Sequence, residues 1–179
     1  MPELAEVEYY RKQWSPGLGQ AVAAVYLHAD KRIFRGADTR HLKRGLEGQV
    51  LESCERRGKQ MCFVFGDRHW LGVHLGMTGK TSVQGPHDAP SKHDHLILEM
   101  QSGQKLVYAD PRLFGRVLYS RSQSPPAWWS GLPPEILSED FTEERMVRFL
   151  QRRARAPLKS VLLMQQTFPG IGNWMADEI

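Results

Sequence analysis

Pro2 and Glu3 set a potential nucleophile beside a carboxylate at the start of the chain. Removal of Met1, which a small following residue permits, leaves Pro2 with a free secondary amine. An α-amino group has a reference pKa of about 7.7–8.0, against about 10.4 for Lys, so roughly a tenth of it is unprotonated at pH 7. Only that unprotonated form attacks a carbonyl-like carbon. The adduct of a secondary amine with an aldehyde carbon is a cationic iminium, which has no proton to lose to become a neutral imine. The electron sink therefore stays in place for a following elimination. The same residues also suit an ordinary helix start. Pro fits the first turn, Glu3 and Glu6 suit the positive end, and Leu4, Val7 and Trp14 form an apolar stripe.

Other stretches carry polar or exposed chemistry. Residues 145–159 hold Arg145, Arg148, Arg152, Arg153, Arg155 and Lys159 and no acid, which fits either a phosphate-contacting surface or a solvated helix face. Pro169-Gly170-Ile171-Gly172-Asn173 joins two helical patterns. Its glycines allow close backbone approach, and N–H groups at the next helix start can hold an anion, with a DNA phosphate the expected one. His74-Leu75-Gly76-Met77-Thr78-Gly79 ends a strand in a glycine-flanked loop, where Met77 is either a core residue or an apolar wedge for a base stack. Asp110-Pro111-Arg112-Leu113-Phe114-Gly115 is a tight turn whose Arg112 can reach a phosphate or base edge and whose Phe114 can fill an emptied stack. As a plain hairpin turn it carries a surface Arg. His93 and His95 share a strand face but have no third ligand nearby, so His93 reads as a phosphate contact or a structural residue and not as a metal ligand. Lys59 follows Arg56-Arg57-Gly58 and opens a strand.

These residues must be positioned by elements the pattern predicts. Apolar alternation marks strands near 20–29, 48–56, 60–66, 69–77, 94–101, 104–109 and 115–120, separated by turn signals such as Gly58, Gly66-Asp67, Gly79 and Ser102-Gly103. A helix is expected at 39–46, capped by Asp38 or Thr39. Residues 122–134 contain four prolines and read as a connector. Beyond it, Asp140 with Glu143 suggests a capping box for a helix carrying Met146, Phe149 and Leu150. Pro157 suggests the start of another helix, with Leu158, Val161 and Leu162 on one face. The expected class is α+β: an antiparallel β-sandwich flanked by helices at 1–121, a linker at 122–138, and the start of a helical domain at 139–179.

The 179 residues are 41% hydrophobic and 25% charged, the composition of a globular chain, with a formal net charge of +4 that permits an anionic partner. Cys54 and Cys62 lie in apparent strands without metal-ligand spacing and read as reduced residues of an intracellular protein. With no leader, apolar span or lipidation motif, the expected location is the cytoplasm. The sequence stops inside a helical pattern, so a fragment of a longer protein is expected.

Together these stretches resemble the bacterial formamidopyrimidine-DNA glycosylase family, which excises oxidised purines in base excision repair and nicks the strand at the abasic site. The similarity is carried in order by Pro2 to Glu8, Arg56 to Lys59, His74 to Gly79, Lys92 to His95, Asp110 to Gly115, and Gly170 to Asn173. The resemblance implies that Pro2 attacks C1′ and forms the Schiff base, that Glu3 protonates the opening sugar, and that Lys59 donates a proton and contacts phosphate. It implies that Met77, Arg112 and Phe114 fill the space left by the everted nucleotide. His93, Arg112 and Arg153 match DNA-binding positions, and Asn173 matches a phosphate contact on a helix–two-turn–helix element. His74 and Glu178 lie at the edge of the implied site. The implied partner is double-stranded DNA with oxidised purines or abasic sites, met by a monomer in a cleft between sandwich and helices. No metal is implied in this chain; zinc belongs to the family's C-terminal finger, which lies outside it. Ala5 stands where a second Pro is usual, and Leu113 where a second Arg is usual. A non-catalytic relative that binds damaged or distorted DNA is the alternative. A purely structural sandwich leaves Arg112, Phe114 and the Gly170–Gly172 turn without a purpose.

Overall fold

Two antiparallel four-stranded sheets form the first part of the chain. In the computed structural model, which describes residues 1–66 and 68–179, the expected turn residue Asp67 lies outside the described residues. The strands are β1 (Val22–Leu27), β2 (Leu51–Arg57), β3 (Gln60–Phe65), β4 (His69–His74), β5 (Lys80–Gln84), β6 (Asp94–Met100), β7 (Lys105–Ala109) and β8 (Arg116–Arg121). One sheet has the order β1-β6-β7-β5 and the other β2-β3-β4-β8. The helices are α1 (Leu4–Gln13), α2 (Thr39–Leu46), α3 (Ala127–Ser130), α4 (Glu143–Gln151), α5 (Leu158–Leu162) and α6 (Asn173–Glu178). The α+β sandwich followed by helices is the expected class.

Strand β5 was not expected. Its sequence, Lys-Thr-Ser-Val-Gln, is short and polar, and it pairs only with β7, at a sheet edge. Strand β4 stops at His74 and not at 77, because Gly76 takes φ +63 and Gly79 N donates to the Leu75 carbonyl at 2.8 Å. That closes a turn in place of a ladder. Asp38 caps α2 by accepting from Arg40 N and His41 N, both at 3.0 Å. The cap of α4 is a correction: Thr142, not Asp140, accepts from Arg145 N at 3.2 Å. A hydroxyl three residues ahead reaches that amide, whereas Asp140 lies two residues too early.

Trp14 joins the layers. Its indole N–H donates to Val107 O on β7 at 3.2 Å, while its ring lies 4.5 Å from that of Phe63 on β3. Buried side chains of this size contribute about 1.5–3 kcal/mol each through area removed from water. Val7 of α1 joins the same core, and Leu4 is only half-buried.

A second, smaller cluster collects Val161, Leu162, Phe168, Ile171 and Ala176, with Met146, Phe149 and Leu150 packed against it. The proline-rich connector is pinned to the sandwich. Trp129 is buried and carries the Arg57 guanidinium at 5.1 Å from its ring centroid. Glu135 binds Arg56 through both carboxylate oxygens, at 2.5 and 3.0 Å, and accepts from Gly58 N at 2.5 Å.

Candidate functional site

The β2–β3 hairpin reverses through the two residues Gly58 and Lys59, with Arg57 paired to Gln60. Such a turn requires positive φ, and Gly58 supplies +55. A side chain there would also stand 2.8 Å from Pro169 Cβ, so the bare turn lets the hairpin tip meet the loop before α6. That contact carries Lys59 across the seam, where its ammonium donates to Ile171 O at 2.7 Å. Burial holds the Lys59 pKa below the ordinary lysine value, and the nearby Glu3 charge partly opposes this.

Glu3 crosses the same seam from the other side. Only 3% exposed, it accepts from Gly172 N at 3.0 Å, Trp174 N at 3.0 Å and Met175 N at 3.2 Å. These are the orphan donors of the first turn of α6, next to the positive end of its dipole. The anion at this helix start is therefore the protein's own carboxylate, where a DNA phosphate was expected. Leu4 N donates to Gly170 O at 3.1 Å, and Gly170, at φ +96, has room for no Cβ against Leu4 Cδ1 at 2.5 Å.

A pocket of about 140 Å³ opens at this seam, with Met1, Gly58, Lys59, His74, Gln165 and Pro169 among the residues lining it. Pro2 lies between Met1 and the buried Glu3, and its nitrogen is an amide while Met1 is attached. His74 accepts from Gly76 N through Nδ1 at 3.1 Å, and burial, with Lys59 and Arg35 nearby, holds its pKa below the usual histidine value.

A second group of residues forms a lip from two loops. Asp110, wholly buried, accepts from the Thr78 hydroxyl at 2.8 Å, Gly115 N at 2.7 Å and Arg112 N at 3.3 Å. The loops approach so closely that a Cβ on Gly76 would lie 2.5 Å from Gly115 N. Met77 (45% exposed) and Phe114 (41% exposed) stand out from this lip, and Arg112 stacks 4.8 Å from the Phe114 ring centroid. Leu113 takes φ +58 and packs inward on the core. His93 adjoins the lip through its carbonyl, which accepts from Asp110 N at 3.1 Å. His95 beneath it shares a 3.0 Å Nδ1–Nδ1 contact with His28.

Pro2, Glu3, Lys59 and His74 thus gather at the seam, and Met77, Arg112, Phe114 and His93 at the lip. Asn173 is exposed at the start of α6, between the Gly172 and Trp174 amides that bind Glu3. Two expected residues lie elsewhere: Arg153 stacks on Phe149 at 3.7 Å, and Glu178 is exposed at the end of α6. Sequence reasoning did not single out Gln165, the first of two adjacent glutamines with no motif to distinguish it, or Asp110 as more than a turn residue.

Among the described residues no three His, Cys, Asp or Glu side chains gather as a metal site. Burial pushes the thiols of Cys54 and Cys62 up to about 11 and about 12, which disfavours the thiolates zinc needs. Also among the described residues, no helix is long and apolar enough to cross a membrane.

The model of the formamidopyrimidine-DNA glycosylase N-terminal domain matches residues 1–117. The chain is 36% identical over 179 residues to a formamidopyrimidine-DNA glycosylase of Stutzerimonas stutzeri, covering 99% of this chain and 65% of that protein. It is 35% identical over 181 residues to the protein of the same name from Symbiobacterium thermophilum, covering 99% and 58%. The fold superposes on Lactococcus lactis formamidopyrimidine-DNA glycosylase bound non-covalently to DNA containing an abasic site, with a TM-score of 0.83 and 30% identity, over 96% of this chain and 65% of that one. The chain thus spans less than two thirds of the length of these relatives.

Proposed function

Since the chain belongs to the formamidopyrimidine-DNA glycosylase family, we propose that it is a base-excision repair enzyme that removes oxidised purines from double-stranded DNA and cleaves the abasic strand. The relatives' names support the substrate class. The single observation that carries the reading is the seam: Pro2 leads from Met1 in the pocket to buried Glu3, and Lys59 lines the same pocket.

Loss of Met1 converts the Pro2 nitrogen into a secondary amine. Its lone pair attacks C1′ of an extruded nucleotide, and the base leaves with the electrons of the glycosidic bond and a proton from Lys59. The Pro2 nitrogen, now an ammonium, loses its proton to the Glu3 carboxylate, which delivers it to O4′ as the sugar ring opens, giving the iminium at C1′. Loss of a C2′ proton then expels the 3′ phosphate. Lys59, held below its usual pKa by burial, gives up a proton at lower cost than an exposed lysine and faces the anionic strand. Extrusion costs a few kcal/mol. Met77, Arg112 and Phe114, presented together on the lip, offset part of that cost by occupying the vacated stack. His93, Arg153 and Asn173 contact phosphates, and His74 and Glu178 border the site. The proposed organisation is a catalytic sandwich at 1–121, a linker at 122–138 and a DNA-binding helical part at 139–179. The protein is proposed to act as a monomer in the cytoplasm.

Borohydride reduction in the presence of abasic DNA tests this. A Pro2-terminated chain should form a covalent protein–DNA adduct, and absence of adduct sinks the catalytic reading. The inward packing of Leu113 favours a second reading, a non-catalytic binder of distorted duplex, because an aliphatic side chain on the core makes no phosphate contact. That reading expects salt-dependent binding that survives Pro2→Gly and no cleavage by the unsubstituted protein.

A further inference from the structure

We propose that Gln165 is a positioning residue for Lys59, acting through the backbone carbonyl of Ile171; this rests on the reading of Lys59 as a proton donor. The Ile171 oxygen accepts from Lys59 Nζ at 2.7 Å and from Gln165 Nε2 at 2.7 Å. A carbonyl oxygen has two lone pairs, so these two side chains fill it. Gln165 Nε2 also donates to Leu163 O at 3.0 Å, and its Oε1 accepts from Gly170 N at 3.1 Å. Exchange of the amide oxygen and nitrogen would set oxygen against two carbonyls, so the network fixes the orientation.

Gln165 therefore clamps both peptide units, Gly170 and Ile171, that face the hairpin tip. Lysine has a flexible four-carbon stem and a point charge, so its direction depends on a fixed acceptor. That acceptor lies in a loop whose Gly170, at φ +96, adds no side-chain restraint of its own. Gln165 supplies the restraint and lines the same pocket as Lys59. A held carbonyl also favours the charged ammonium, opposing the burial that disfavours it.

The test follows Lys59 by NMR titration of lysine-labelled protein, in parallel with borohydride trapping on abasic DNA, for the unsubstituted chain, Gln165→Leu and Gln165→Glu. Gln165→Leu should move the Lys59 titration down by half a pH unit or more and slow trapping about tenfold, with unchanged affinity for the duplex. Gln165→Glu loses both donations to the carbonyls but sets a negative charge near the ammonium, and that charge should move the titration up by a similar amount and carry the falling limb of the trapping rate to higher pH. Gln165→Met, which keeps the side-chain length without a donor, serves if the Leu variant does not fold. A Lys59 titration that is the same in all three proteins overturns the proposal, whatever the trapping shows. Absence of trapping by the unsubstituted chain, with the titration shifts present, instead overturns the proton-donor reading and leaves the positioning intact.

Discussion

The seam around Glu3 and Lys59 and the arginine-bearing face of α4 are both polar, and they are built on opposite plans. At the seam each charged group is buried and answered by backbone: Glu3 by three amides, Lys59 by a carbonyl. On α4 no residue is buried; Arg148 pairs with the exposed Glu144 one turn away, and Arg145 and Arg148 line an open depression of about 360 Å³. The first plan ties each charge to backbone partners, which suits the proposed proton transfer. The second leaves arginines exposed, which suits the proposed contact with a phosphate backbone read without sequence. Substitutions should therefore separate the two regions by size of effect.

The largest effect belongs to Glu3→Ala. It strands three amides at the start of α6 and should cost about 3 kcal/mol in urea unfolding, since hydrogen bonds to charged groups contribute about 1.5–3 kcal/mol. Glu3→Gln keeps one acceptor oxygen and should lose roughly half as much. If the two variants unfold alike, the carboxylate does not tie the halves together.

Gly170→Ala combines positive φ with a 2.5 Å clash on Leu4 Cδ1 and should cost about 2 kcal/mol. Adding Leu4→Ala removes the 2.5 Å contact with Cδ1 but neither the 3.2 Å contact with Leu4 Cβ nor the φ strain, so thermal unfolding of the double variant should show partial recovery beyond additivity.

Next comes pH. Burial holds His95 and His74 below the usual histidine value. A depressed folded pKa means the unfolded chain binds the proton more readily. The stability from neutral His95 and His74 is thus complete above about pH 6.5 and is lost as pH falls through the lower folded values. A loss of about 1 kcal/mol is expected between pH 7 and 5, and it should shrink in His95→Gln. A melting temperature flat over that range would contradict it.

The smallest effect on stability belongs to Arg148→Ala. An exposed pair of this kind is worth about 0–1 kcal/mol, so unfolding should be nearly unchanged. DNA affinity should fall, and the slope of log K against log salt should flatten by about 0.9 if one phosphate contact is lost. An unchanged slope would remove this face from the interface.

Much of this was legible in the chain. Helix α2 follows from Asp38 and the apolar residues after it, and β2 and β3 from alternation on either side of Gly58-Lys59. Strand β5 escaped because its pairing comes from β7, a distant partner that overrides a weak local preference. Leu113 shows the same limit. Its departure from the family pattern is visible as a letter, while its inward direction follows from a positive φ set by the Asp110 turn.

The sequence by itself determined the alternation of strands and turns, the helical second part and the residue types able to do chemistry, because those follow from neighbours along the chain. Only tertiary structure decided that Glu3 would cap α6, 169 residues or more away, and that Lys59 and Gln165 would meet on one carbonyl. Hydrogen bonds of that kind depend on where the two cores bring distant backbone together, and no local pattern encodes that distance.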